Sequence, residues 1–574
     1  MKILLAQQNY HIGNFEANTA KILEAIAAGK AAGADLVVCS ELAVCGYPPR
    51  DFLEFNDFIE QAHAALDIIK AAADTIGVLV GCPSRNPEPK GKNLFNSAYL
   101  LYEKEIKGAA HKTLLPTYDI FDEYRYFEPA IAWNVLSFKG RKLAVTICED
   151  IWNIGDDPLY RVCPMDELIG QQPDIMINLS ASPFDYLHAA GRKDIVRQNV
   201  LKYRLPIVYC NTVGSQTEIV FDGGSLVMDA AGAIVAELPY FAEAMQLVDW
   251  EDGRMLSASA AADAQPNTTK IAATTEPTLT DASATTFGGN KGADYNIHEI
   301  HQALLLGIRD YFSKMGFTKA IVASSGGIDS AVVLALACEA LGAAQVSALL
   351  LPSQYSTAHS VDDGVQLSVN LGNHYDIIPI KDVFETYEQA LSPVFKDLPF
   401  NVAEENLQSR IRGAMVMALA NKFGYILLNT SNKSELATGY GTLYGDMAGG
   451  LGVLGDLYKV QVYALARYIN RHREIIPQNI IDKAPSAELR PGQKDSDSLP
   501  EYDVLDPILY QYIEGRKGPE EIIGMGFDRA LVARILKLVN NNEYKRNQFC
   551  PIIRVSPKAF GIGRRVPIVG KYLS

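Results

Sequence analysis

At 574 residues, with 48% apolar and 21% charged side chains, the chain is too long for one core and predicts two globular domains of about 250–300 residues each. A net charge of −15 excludes general nucleic-acid binding, which demands a basic footprint, but leaves room for a small anionic ligand held by a few local cations. The opening Met1-Lys-Ile-Leu-Leu-Ala turns polar too soon for a signal peptide, and no stretch reaches the apolar length of a membrane span. The eight cysteines are scattered without a Cys-x-x-Cys pair, as expected of a cytoplasmic protein.

In chain order, short β-branched runs recur at Ile3–Ala6, Leu36–Cys39, Val78–Gly81, Ser97–Tyr102, Leu143–Ile147, Ile175–Leu179, Ile207–Asn211 and Ser225–Met228. Alanine-rich stretches at Asn18–Ala32 and Ile59–Ile76 read as helices between the early ones, which predicts an α/β domain with packed sheets over residues 1–255. Three chemically useful residues fall where strands end: Glu41, Lys112 and Cys148. A thiol needs a base or cation to become a nucleophile, and an attacked amide carbonyl needs positive charge where its oxyanion forms. Taken singly, each residue also has a bland reading, as a packed cysteine or a solvated charge.

Longer blocks around them carry more. Ser40-Glu-Leu-Ala-Val-Cys-Gly-Tyr-Pro-Pro49, His111-Lys-Thr-Leu-Leu-Pro116 continuing to Phe127, and Thr146-Ile-Cys-Glu-Asp-Ile-Trp152 resemble the three blocks of the nitrilase (carbon–nitrogen hydrolase) superfamily, in that family's order. The resemblance implies a four-layer αββα sandwich with Glu41 as general base, Lys112 as oxyanion stabiliser and Cys148 as the thioester-forming nucleophile. It places Glu123 as a supporting glutamate, and Tyr118, Phe121, Ser182 and Arg192 against a glutamine substrate. The stretch from Pro183 to Ala190 is longer than usual for the family.

Residues 256–292, rich in Ser, Thr and Ala and poor in aliphatics, read as a linker. Beyond it, over 293–574, strand-like Ala320–Ala323, Gln345–Leu351, Tyr375–Ile380 and Tyr425–Asn429 alternate with helical segments. That pattern predicts a doubly wound parallel sheet with ligands at its C-terminal strand ends. The first of these strands enters Ser324-Ser-Gly-Gly-Ile-Asp-Ser330, and an apolar helix follows from Ala331. Strand, glycine loop and helix N-terminus form an anion site, because backbone N–H groups converge there and the helix dipole favours negative charge. The loop lacks the Gly-Lys-Ser/Thr ending of a Walker A motif and is not Gly-x-Gly-x-x-Gly.

This loop resembles the pyrophosphate loop of the ATP pyrophosphatases (adenine nucleotide alpha hydrolase-like). With Glu404-Glu-Asn-Leu-Gln-Ser-Arg-Ile-Arg-Gly413, Leu428-Asn-Thr-Ser-Asn-Lys-Ser-Glu435 and the tail Glu543-Tyr-Lys-Arg-Asn-Gln548, the second half is similar to NAD synthetase domains. The two halves together resemble the glutamine-dependent NAD synthetases. The implied reaction converts deamido-NAD, ATP and glutamine to NAD, AMP, pyrophosphate and glutamate through an adenylated carboxylate. By family position Ala323, Ser324, Ser325, Gly326, Gly327, Ile328, Asp329, Ser330 and Thr430 contact ATP. Asn406, Glu435, Asp446, Lys459 and Lys545 border deamido-NAD, and Asp329 and Glu435 are the carboxylates placed on Mg²⁺. A homodimer or larger homo-oligomer is the family expectation.

Overall fold

The computed structural model describes residues 1–155, 158–251, 254–257, 285–286, 294–493, 495–497 and 499–573. The linker expected over 256–292 therefore lies outside the described residues, apart from 256–257 and 285–286. The chain divides into two compact units: Met1–Phe184 with His188–Leu279, and Asp185–Leu187 with Thr280–Ser574.

The first unit is built on two sheets. A seven-stranded sheet has the parallel run Lys2–Gln7, Leu36–Val38, Gly77–Arg85 at its centre, flanked by antiparallel strands Ala244–Glu251 and Leu94–Tyr102. A six-stranded sheet centres on the parallel strands Arg141–Ile147, Ile175–Ser180 and Ile207–Asn211. The period-2 alternation of the strands sorts their side chains into layers. Ile3, Leu5, Leu36, Val38 and Leu79 meet Leu143, Val145, Ile175, Ile177 and Val208 between the sheets. The alternate set Leu4, Ala6, Val37, Val78 and Val80 faces outward onto Ile22, Ile26, Leu66 and Ile69 of helices Phe15–Ala31 and Asn56–Ala72. On the far side Ala144, Met176 and Tyr209 pack on Val196, Val200 and Tyr203 of helix His188–Tyr203. This is the αββα sandwich.

The second unit holds one parallel sheet of five strands, ordered His374–Ile377, Val346–Leu350, Ala320–Ala323, Ile426–Asn429, Leu451–Gly452. The chain moves outward from Ala320–Ala323 in one direction and then returns to its other side, so the strand order reverses between Ala320–Ala323 and Ile426–Asn429. Ligands of open α/β sheets bind outside the C-terminal ends of strands at such a switch point. Ile321, Leu349 and Leu427 pack on Ile411, Val416 and Ala420 of helix Val402–Phe423. On the sheet's strands Ala320–Ala323 and Val346–Leu350 also sits helix Ile328–Leu341, apolar around nearly its whole circumference because it is buried on most sides.

Several strands differ from expectation at their ends. The expected strand Tyr375–Ile380 is His374–Ile377, a mostly exposed edge strand, and the expected helix Ile59–Ile76 runs Asn56–Ala72. The edge strand Glu105–His111 and strand Ala244–Glu251, which lies between Lys2–Gln7 and the edge strand Arg254–Ser257, were not anticipated; both are polar or half-exposed and lack the apolar run of a central strand.

Candidate functional sites

In the first unit, Glu41 lies three residues past strand Leu36–Val38, Lys112 directly past Glu105–His111, and Cys148 directly past Arg141–Ile147. All three are buried. Glu41 Oε1 accepts hydrogen bonds from Lys112 Nζ at 2.8 Å and Asn96 Nδ2 at 2.7 Å, while Oε2 accepts the Ala181 N–H at 3.0 Å. Lys112 Nζ also donates to Glu123 Oε1 at 2.7 Å, an oxygen shared with the Tyr47 hydroxyl at 2.7 Å. Gly81 brings its strand close enough to the Glu41 turn that a Cβ there would lie 2.2 Å from the Leu42 nitrogen.

The electrostatics follow from this packing. Burial opposes charge on Lys112, but Glu123 and Glu41 outweigh it and hold its pKa well above the ordinary lysine value. Burial, reinforced by the Glu41 charge, pushes Glu123 up to about 7 against the pull of Lys112. The Cys148 thiol is raised well above its usual range, by burial first and then by Glu41, with Lys112 opposing. A thiol of this kind would give up its proton during an attack rather than before it, which calls for a neighbouring base.

Asp150 ties the Lys112 segment to the turn at Cys148. Its Oδ1 accepts the N–H groups of Thr113 and Leu114, both at 2.9 Å, and its Oδ2 accepts that of Ile147 at 3.0 Å. Beside Cys148, Glu149 Oε1 accepts the hydroxyls of Tyr118 at 2.8 Å and Tyr160 at 3.1 Å. Tyr118 is edge-on to Phe121, with ring centroids 5.6 Å apart. Ser182 is buried, and its N–H donates to Asn211 Oδ1 at 2.8 Å.

Arg192 is paired within the protein. Both terminal nitrogens are bound by Asp222, at 2.8 and 2.7 Å, in a pair that is 1% exposed on each side. This bidentate pair fixes the guanidinium and anchors Asp222, while Arg192 Nε has no hydrogen-bond partner among the described residues. Asn96, Asp150, Glu149 and Tyr160 were missed in the sequence. Only the two acids carried a signal there, by adjoining Cys148.

In the second unit the Ser324–Ser330 loop leaves strand Ala320–Ala323 at the switch point. The Ser330 hydroxyl folds it back on itself, accepting the Ser325 N–H at 3.2 Å and donating to the Gly327 carbonyl at 3.0 Å. Gly326 has φ +73°, and a Cβ there would lie 2.1 Å from the Ser360 carbonyl oxygen, so only glycine lets the loop close. Ala323 ends the strand, and Ile328, Asp329 and Ser330 begin helix Ile328–Leu341.

Across the switch point, Thr430 follows strand Ile426–Asn429, and Asn432 caps the short helix Lys433–Thr438 that carries Glu435. Asn432 Nδ2 donates to Asp329 Oδ1 at 2.9 Å. Lys459 Nζ bridges Asp329 Oδ2 and, at 3.4 Å, Glu435 Oε1. Burial opposes charge on Lys459, and Asp329 and Glu435 override it, raising its pKa. Burial and then Asp329 push Glu435 up to about 8. The two carboxylates assigned to metal thus converge on one cation, and hard oxygen donors of this kind suit Mg²⁺ completed by phosphates and water.

Of the remaining residues, Asn406 Oδ1 accepts the Thr442 hydroxyl at 2.7 Å, and Asp446 Oδ1 accepts the Thr442 N–H at 2.9 Å. Lys545 Nζ donates to the carbonyls of Gly439 at 2.7 Å and Gly441 at 2.8 Å. Lys483, missed in the sequence, bonds Ser360 Oγ and Glu488, placing a cation on the residue that packs against Gly326.

Residues 2–255 match the carbon–nitrogen hydrolase family and residues 300–549 the NAD synthase family. A glutamine-dependent NAD(+) synthetase from Synechocystis is 44% identical over 99% of this chain and 98% of its own. Another from Thermotoga maritima is 40% identical over 100% and 99%. Among solved structures, a glutamine-dependent NAD+ synthetase from Acinetobacter baumannii, in complex with adenosine diphosphate, superposes with a TM-score of 0.73 at 35% identity, covering 99% of this chain and 98% of that one.

Proposed function

The chain belongs to the glutamine-dependent NAD(+) synthetase family, and from that premise we propose that it amidates deamido-NAD to NAD with ammonia drawn from glutamine. The observation that carries the reading is that both catalytic clusters are intact: Glu41–Lys112–Glu123 beside Cys148, and Asp329–Lys459–Glu435 beside the Ser324–Ser330 loop.

In the first reaction Glu41 takes the Cys148 proton as sulfur attacks the glutamine amide carbon. The Lys112 ammonium faces the developing oxyanion. Glu41 returns the proton to the departing nitrogen, ammonia leaves, and water then hydrolyses the thioester to glutamate. Glu123 and Asn96 keep Glu41 and Lys112 in register. Glu149, held by two tyrosine hydroxyls, supplies a negative charge suited to the α-ammonium of glutamine, with Tyr118, Phe121 and Ser182 around it.

In the second reaction the nicotinate carboxylate attacks the α-phosphorus of ATP, and pyrophosphate leaves. Ammonia then attacks the adenylated carbonyl carbon, and AMP departs. Backbone N–H groups of the Ser324–Ser330 loop would hold the pyrophosphate. Mg²⁺, when bound through Asp329 and Glu435, offsets phosphate charge. Thr430 is assigned to ATP, and Asn406, Asp446, Lys459 and Lys545 to the dinucleotide. The reading places residues 1–255 as glutaminase and 293–574 as synthetase, in a cytoplasmic homodimer or larger homo-oligomer. Among the described residues no helix is long and apolar enough to cross a membrane.

The deciding assay supplies deamido-NAD, ATP-Mg and glutamine and quantifies NAD, AMP and glutamate together. Glutamate release without NAD or AMP would reduce the chain to an amidase. Size-exclusion chromatography with light scattering tests the assembly.

A further inference from the structure

Two helices deliver the charges of the synthetase cluster. Lys433–Thr438 carries Glu435, and Lys459–Ile469 begins with Lys459. The first N–H groups of any helix lack intrahelical partners and need an oxygen from elsewhere. Tyr458, at the cap of the second helix, makes no side-chain capping hydrogen bond to them. Two residues outside that helix supply the oxygens. The Lys459 N–H donates to Ser434 Oγ at 3.0 Å, and the Val460 N–H donates to Asp506 Oδ2 at 3.1 Å. Ser434 closes the set by donating to Asp506 Oδ1 at 2.5 Å. Asp506 belongs to a third helix, Tyr502–Ile513, and both it and Ser434 are fully buried.

We infer that Ser434 and Asp506 form a positioning pair that fixes the start of the Lys459 helix against the Glu435 helix and so sets the Asp329–Lys459–Glu435 geometry for amidation. Ser434 precedes Glu435 directly in the chain and holds the Lys459 N–H. One hydroxyl therefore couples the backbone of the cation to the backbone of the carboxylate it meets 3.4 Å away. Asp506 locks that hydroxyl and the next N–H of the same helix. Neither residue is asked to touch substrate.

The inference rests on the proposed synthetase site, so Lys459→Ala serves as the reference in a full-chain assay of NAD formation from ammonium, deamido-NAD and ATP-Mg. Lys459→Ala with wild-type kcat would sink the site reading itself. With Lys459→Ala inactive, Ser434→Ala and Asp506→Ala should each lower kcat by about tenfold or more, with KM for ATP and deamido-NAD within about threefold. Asp506→Asn, which keeps an acceptor oxygen for only one of the two donors, the Ser434 hydroxyl or the Val460 N–H, should fall between Asp506→Ala and wild type. The double variant Ser434→Ala/Asp506→Ala should be no worse than either single, since both act through one connection. If Asp506→Ala does not fold, Ser434→Ala, which removes a single oxygen, decides alone. A wild-type kcat in Ser434→Ala, multiplicative losses in the double variant, or thermal destabilisation with kcat unchanged would each overturn the inference.

Discussion

Both sites place a lysine ammonium between two carboxylates, and they do so for different ends. Lys112 is sealed with Glu41 and Glu123, with side-chain exposures of 0%, 0% and 6%. Lys459 meets Asp329 and Glu435, each 17% exposed, at the open end of a sheet where phosphates and a metal would arrive. The first arrangement is prebuilt for a neutral amide, and in the proposed reaction its charges change only by the proton that Glu41 takes and returns. The second is a set of charges that incoming anions and a cation must redistribute. The same combination, a lysine between two carboxylates, thus acts as a fixed electrostatic frame when closed, and as an adjustable receptor when open.

The sharpest break between the two regions is chemical. Cys148→Ala should cut glutamine-supported NAD formation by roughly 10⁴-fold or more while ammonium-supported synthesis stays within about twofold of wild type. Equal loss with both nitrogen sources, in a folded variant, would end the division of labour. The converse variant, Asp329→Ala, should lower synthesis from either nitrogen source by about 10²–10³-fold and leave glutamate release in place. AMP formation near wild type would remove Asp329 from the nucleotide site.

A smaller difference concerns stability. Lys112→Met leaves two buried carboxylates facing each other and should cost about 3–5 kcal/mol in denaturant unfolding. Lys459→Met, next to carboxylates that water reaches, should cost clearly less. Equal losses would mean that the open and closed descriptions are wrong.

The smallest effect is in pH. Glu123, raised to about 7 in the fold, holds its proton where the unfolded chain has lost it. Its contribution to stability is therefore complete at low pH and fades as pH rises from the ordinary glutamate range through about 7. The midpoint of thermal unfolding in Glu123→Gln should fall less over that window than in the wild type, by about a few degrees. A parallel fall in both proteins would deny Glu123 its raised pKa.

Much of this was legible in the sequence because the signals were local. Central strands announced themselves as β-branched runs, and the glycine loop, Glu41 and Cys148 sat at or just beyond their ends, with Glu435 in the short helix after one of them. What escaped was long-range. Asn96 reaches Glu41 across 55 residues, Asp506 reaches Ser434 across 72, and Lys459 reaches Asp329 across 130. The pairing of Arg192 escaped for the same reason: nothing near it in the chain announces Asp222, 30 residues on. Half-exposed strands such as Glu105–His111 carry no apolar run to betray them, although that one delivers Lys112.

The backbone at Cys148 has φ +43°, and Leu42, just past Glu41, has φ +45°. A residue with a Cβ gives up roughly 1–2 kcal/mol in that left-handed region, which glycine enters freely. Cys148, the proposed nucleophile, therefore occupies a position where an L side chain is a liability to the fold, and on the proposed role the demands of turnover and of stability pull against each other on a single residue. Inactivating the enzyme should relax it. Cys148→Gly, which releases the strain, is expected to unfold at a temperature equal to or above that of Cys148→Ala, which retains it, reversing the usual ranking of those two residues.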